Sequence, residues 1–204
     1  MRNVSKLLGL TLAGLMPVLG LFFTLHAGDD LSGDEVPVSL VSAVPDAPEF
    51  SLDAVTDDVL WLARCIYSET KRAEEQELVA WVIRNRVETG YRGGSEYEDV
   101  VLDPYQFSAF NPGNPKRRLY TSLMPTADSP SFVQALEIAH DVYHAPAAER
   151  PFPTTTRHFY SERSMVGGRA PNWSRGHAPV NPTRYRVDPR RFRFYAGVAA
   201  MLKI

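Results

Sequence analysis

The apolar positions change rhythm along the chain. Residues 7–25, "LLGLTLAGLMPVLGLFFTL", form an unbroken uncharged run. From Val59 the rhythm becomes helical: Val59, Leu62, Ala63 and Ile66, widened by Leu60 and Tyr67, mark one face. Thr56 stands where an N-cap belongs, and Asp57 and Asp58 place negative charge in the first turn, which the helix dipole favours. A second helix is predicted from about Glu74 to Glu88, buried along Leu78, Val79, Val82, Ile83 and Val87, with Gly90 placed to stop it. A third opens at Ser129-Pro130, carries Phe132, Leu136, Ala139 and Tyr143, and ends before Pro146. After Pro153 the rhythm shortens again. "TTTRHFYS" and "RRFRFYAGV" are β-branched and aromatic, the second alternating at Arg191, Phe192, Arg193 and Phe194. Helices followed by short strands predict an α+β domain, with a helical N-terminal part, a small β-rich C-terminal part and a cleft between. Residues 90–128, rich in Gly, Pro, Asn and aromatics, read as a long irregular segment of the functional kind.

The first apolar run changes the picture of where the protein works. Arg2 and Lys6 precede it and "HAGDD" follows, the pattern of a secretory signal. Its 19 residues are also close to the span of a bilayer, so residues 1–27 are expected to be either a signal peptide or a membrane anchor. Both readings predict export to the cell envelope, whether periplasmic, secreted or anchored. Residues 28–52, acidic and holding Pro37, Pro45 and Pro48, read as a linker, leaving 53–204 as the folded domain.

Charge and cysteine content narrow the chemistry. The 204-residue chain has a formal net charge of −2, but from residue 151 onward it holds ten basic residues against Glu162 and Asp188. Such a region could meet an anionic polymer or be a solvated surface. Cys65 is the only cysteine, which excludes an intramolecular disulfide and a cysteine-rich metal site.

Four groups of residues could carry chemistry. In "CIYSETKR", Glu69 stands beside Ile66 and Tyr67 where the apolar helix face ends. A carboxyl held against apolar walls favours its protonated form, as a general acid needs; the alternative is a solvated helix end. The loop "DPYQFSAFN" interleaves Asp103, Tyr105, Gln106, Ser108 and Asn111 with Phe107 and Phe110, flat apolar surface beside hydrogen-bonding groups, or else a turn with two core phenylalanines. His140 and His144 share a helix face, and His158 and His177 could complete a zinc site, but HExxH is absent and no carboxylates cluster nearby. In "GGRAPNWSRGH", Trp173 with Asn172, Arg169 and Arg175 could form a stacking wall for a sugar or could be core.

The ordered set "LARCIYSET", "ELVAWVIRNRV", "DPYQFSAFN", "RHFYS" and "PNW" resembles the cell wall hydrolases related to the spore cortex-lytic enzyme SleB, over about residues 58–177. That resemblance implies a lysozyme-like α+β fold and cleavage of peptidoglycan glycan strands, in several relatives by lytic transglycosylation. It places the catalytic glutamate at Glu69 and the end of the second helix at Asn85-Arg86-Val87. The substrate-cleft loop then falls at Gln106-Phe107-Ser108 and the late strand at His158-Phe159-Tyr160. Tyr67, Tyr105, Gln106, Phe107, Ser108, Asn111, His158, Tyr160 and Trp173 are then the expected substrate-binding residues. No metal, no cofactor and no nucleic-acid partner is expected, and the protein is expected to act as a monomer.

The family's Glu-Ala-Arg-Gly-Glu is replaced by Glu69-Thr70-Lys71-Arg72-Ala73, with Glu74 or Glu75 as candidates for the missing acid, and Ala109 stands where cysteine is common. Alternatives remain: a hydrolytic muramidase or glucosaminidase, with Asp99, Asp103 or Glu162 as second acid; a zinc amidase or peptidase; and a non-catalytic wall-binding protein.

Overall fold

Three amphipathic helices cannot each bury an apolar stripe alone, and here they bury them on one another. The computed structural model describes residues 48–200. The apolar run at 7–25 and the linker up to residue 47 lie outside the described residues. Among the described residues no helix is long and apolar enough to cross a membrane.

Helix α1 (Asp57–Glu69) begins as predicted: the Thr56 hydroxyl accepts the Val59 N–H at 3.3 Å. It ends because Thr70 is extended, its N–H returning to the Ile66 carbonyl at 3.1 Å. Helix α2 (Ala73–Glu88) stops at Thr89, and Gly90 takes the left-handed conformation at φ 55°. The segment expected to be irregular holds two short helices, α3 (Tyr97–Leu102) and α4 (Arg117–Thr121). Helix α5 (Pro130–His144) starts on its proline, but Ser129 does not cap it through its side chain. The Ser129 hydroxyl lies instead 3.4 Å from both the Tyr67 and Ser131 hydroxyls. Helices α1, α2 and α5 enclose the core, in which Leu62, Ile66, Leu78, Trp81, Ile83, Phe132 and Leu136 are buried.

Strands β1 (Thr156–Tyr160) and β2 (Arg193–Ala196) pair antiparallel, His158 opposite Tyr195 and Phe159 opposite Phe194, with a register shift between Thr156 and His158. Phe159, Phe192 and Phe194 turn the ribbon's apolar side to the helical core. Helix α2 grips β1 by its backbone. Buried Asn85 donates from Nδ2 to the Thr156 carbonyl at 2.9 Å, and Arg86 donates from Nε to the Arg157 carbonyl at 2.7 Å. The Asn85-Arg86 pair is thus the clamp that holds the two-stranded ribbon on the helices. The fold is α+β and lysozyme-like, a helical body and a small sheet with a cleft where they meet.

Candidate active site

The end of α1 delivers Glu69 to that cleft. A cavity of about 410 Å³ is bounded by Glu69, by Arg86 of α2, by Tyr105, Gln106, Ser108 and Asn111 of the loop after α3, and by Phe159 and Tyr160 of β1. Ser161, Arg163, Ser164 and Met165, with the Arg191-Phe192 pair, close it. Among the described residues Glu69 is the only carboxylate on this wall; Arg86, Arg163 and Arg191 are its cations.

Glu69 is partly exposed, opening on the cavity with the protein packed behind it. Loss of hydration pushes its pKa up to about 7; the Arg86 charge pulls the other way and does not restore the ordinary value. Arg86 is itself 4% exposed and held down to about 10 by burial, and its Nη1 has no hydrogen-bond partner among the described residues. The solvated helix end is therefore set aside in favour of a carboxyl that is half protonated near neutrality.

The loop after α3 is stapled by its own side chains. Asn111 accepts the Tyr105 N–H through Oδ1 at 2.8 Å, and Asn114 donates from Nδ2 to the Ser108 carbonyl at 2.8 Å. This holds Tyr105 at φ 66°, a strained value outside glycine, with its side chain 83% exposed at the cavity lip. Phe107, expected as a stacking surface, is 1% exposed. It lies under the Arg86 guanidinium and beside Phe159, supporting the floor without facing the cavity.

His158 and Trp173 bound a smaller side pocket of about 150 Å³ that shares Arg86, Tyr105 and Gln106 with the main one. The His158 Nε2 is 2.9 Å from the Tyr91 hydroxyl, and burial, with the charges of Arg86 and Arg157, holds its pKa down to about 3, so the ring is neutral. Trp173 packs edge-on to Tyr160 and Tyr195. Tyr67 does not bound the cavity; it packs against Phe132 and Tyr120 near the Ser129 hydroxyl.

The other acids are occupied elsewhere. Buried Glu75 accepts the Thr70 hydroxyl at 2.6 Å and is held by both Nε and Nη2 of Arg191. Burial alone would raise its pKa, but these hydrogen bonds and the Arg191 and Arg72 charges outweigh it and hold the carboxyl below its usual range. Asp103 pairs with Arg92 at 2.6 Å, and with Asp99 it lines a separate crevice; Glu162 pairs with Arg193 at 2.7 Å. The histidines also separate. His140 and His144 lie side by side on α5, their rings tilted with centroids 4.3 Å apart, while His158 is on β1. Among the described residues no group of three or more His, Cys, Asp or Glu could hold a metal ion. Cys65 is buried and its thiol pushed well up by that burial, the behaviour of a core residue.

Sequence reasoning singled out Glu69 and the loop but missed Arg86, Arg163 and Arg191. Arg86 was visible only as part of Asn-Arg-Val, Arg191 only as a position in an alternating strand pattern, and Arg163 only as a charge in a basic region.

Fold and cleft define a lysozyme-like domain built around one partly buried carboxyl. A family model described as Cell Wall Hydrolase matches residues 70–187, more than half of the chain, and the chain belongs to that family, as its resemblance to the SleB relatives implied. The match opens one residue after Glu69. Searches of the curated proteins and of the solved structures gave no match. Membership suggests peptidoglycan hydrolysis and a place of action in the envelope or outside the cell.

Proposed function

We propose that this protein cleaves peptidoglycan glycan strands as a lytic transglycosylase, with Glu69 as both acid and base. The observation that carries this reading is the single carboxyl that the described residues place on the cavity wall, raised to about 7. A hydrolase of the usual kind needs a second carboxyl about 5 to 9 Å from the first. Asp99, Asp103 and Glu162, the candidates for it, lie off the cavity wall or in ion pairs.

In this reading protonated Glu69 gives its proton to the glycosidic oxygen as the bond to the muramic acid anomeric carbon breaks. The resulting carboxylate takes the proton of the same sugar's 6-hydroxyl, whose oxygen closes on the anomeric carbon. No water is consumed, the product is a 1,6-anhydro sugar, and Glu69 ends protonated. Arg86 stabilises the carboxylate between the two steps. Tyr105, Gln106, Ser108, Asn111 and Tyr160 orient hydroxyl and acetamido groups, and the His158–Trp173 pocket receives part of the strand beside the reacting sugar. The apolar run at 7–25 would deliver the domain to its polymer, as signal or as anchor.

The acid must be protonated in the free enzyme, so kcat/KM for fragment release should be flat below neutrality and fall through an apparent pKa of about 7. A soluble-fragment assay from about pH 4.5 to about pH 9 brackets that value and reads the fall. A profile that stays flat well above neutrality would mean that Glu69 is not the acid.

A further inference from the structure

We propose that the face carried by Lys116, Arg117, Arg118 and Leu119 docks the domain on an anionic lipid surface. This is independent of which bond the cavity cuts. Between Asp103 and Asp128 the chain holds no acid, and its three basic residues there are consecutive. They stand at and just before the start of α4, off the wall of the cavity that holds Glu69.

Other cations of the domain are matched with carboxylates. Arg84 and Arg150 meet Glu88, Arg184 meets Glu77 and Glu149, Arg191 meets Glu75, and Arg193 meets Glu162. Among the described residues Lys116, Arg117 and Arg118 form no ion pair. Lys71, exposed just after α1, adds a fourth cation. Its ammonium lies over the Tyr67 ring and 6.0 Å from the centre of the Tyr120 ring. Burial lowers its pKa, Tyr67 opposes this, and the charge of Lys116 lowers it further, so the two cations share one surface.

Apolar side chains stand among these charges. Tyr120 turns inward, its ring centroid 6.1 Å from those of both Tyr67 and Phe110, which leaves its neighbour Leu119 58% exposed. Met124, at the end of the same segment, is 53% exposed. The backbone between is anchored: Arg64 donates from Nε and Nη2 to the Leu123 carbonyl at 3.0 and 2.8 Å. Cations beside exposed apolar side chains suit a bilayer interface, where lipid phosphates meet the charges and the acyl boundary receives the apolar groups. A charged wall polymer would answer the cations but offers no hydrocarbon to Leu119 and Met124. In the anchor reading of residues 7–25, a bilayer also lies within a linker's length of the domain.

The test uses full-length Leu119→Cys carrying an environment-sensitive dye; Cys65, the only native cysteine, is buried and stays unlabelled. Asp141→Cys, on α5 with a side chain 75% exposed, is the comparison site. On vesicles of phosphatidylglycerol and phosphatidylcholine at low salt, the dye at 119 should shift to the blue while the dye at 141 does not. Phosphatidylcholine alone should move neither, and added salt should reverse the shift. The triple variant Lys116→Gln, Arg117→Gln, Arg118→Gln should lower the docked-to-free ratio about 10²-fold. No glycan is present, so the result stands apart from the cleavage reading. Equal shifts at 119 and 141, equal shifts on neutral and anionic vesicles, or an unchanged ratio in the triple variant would overturn the proposal. A shift at 119 on purified peptidoglycan but not on vesicles would also overturn it, and would assign this face to the wall polymer.

Discussion

Glu69→Gln should abolish release of soluble glycan fragments, by about 10²- to 10⁴-fold or to the detection limit, while leaving the protein folded and more stable at neutral and alkaline pH. The loss follows because an amide at this position keeps the shape of the carboxyl but can neither give nor take the proton. The gain in stability has a definite sign. A carboxyl raised from 4.5 to about 7 binds its proton more tightly in the folded state than in the unfolded one. Stability therefore falls as pH rises through that window and stays lower above it. Taken at face value the shift is worth about 3 kcal/mol, and solvent reaching the cavity reduces this to about 1–2 kcal/mol. Thermal unfolding at about pH 8 should thus rank the variant above the parent, with the difference vanishing near pH 4, below both carboxyl values. Equal melting temperatures on the alkaline side would mean that Glu69 is hydrated like any surface acid. A catalytic group that destabilises its own fold fits the usual conflict between function and stability.

The second large effect lies behind the site. Arg191→Met should cost about 2–4 kcal/mol in chemical unfolding at neutral pH, because it leaves the Glu75 carboxylate buried with only the Thr70 hydroxyl as partner. Fragment release should fall with it, since Arg191 and Phe192 form part of the cavity wall and Thr70 follows Glu69 directly. The pH dependence again has a sign. The Glu75 carboxyl is held low in the parent, so its contribution is present above the unfolded carboxyl value and is lost as pH falls through the lower folded one. The variant's deficit should therefore shrink toward acid pH. Adding Glu75→Gln should restore much of the stability, since it removes the stranded charge. A single variant as stable as the parent at neutral pH would show the pair to be incidental.

Where the family pattern breaks, after Glu69, the structure supplies this support: Thr70 hydrogen bonds Glu75, and Glu75 holds Arg191. Glu75 was a candidate replacement acid by sequence. Its partner is 116 residues away, and no local pattern announces a contact at that separation. Helices α1, α2 and α5 were legible because each runs three turns or more and repeats its apolar face. Helices α3 and α4, six and five residues long, are too short for a period to show, and α3 forms where Tyr97, Val100 and Val101 find burial. Glu69 was legible as a charge at the end of an apolar face. The convergence of Arg86, Arg163 and Arg191 was not, since tertiary packing alone brings them onto one wall. Phe107 was misplaced for a related reason: alternation of aromatic and polar residues in a loop does not tell a floor from a surface.

In the transglycosylase reading one carboxyl performs both proton transfers and no water enters the product. Digestion of purified peptidoglycan in heavy-oxygen water, with mass spectrometry of the soluble muropeptides, tests it most directly. Products one water lighter than hydrolytic ends, carrying no heavy oxygen at the new terminus, are the predicted result. Reducing-end products of hydrolytic mass that carry the heavy oxygen would contradict it and assign the cleavage to a water-using hydrolase.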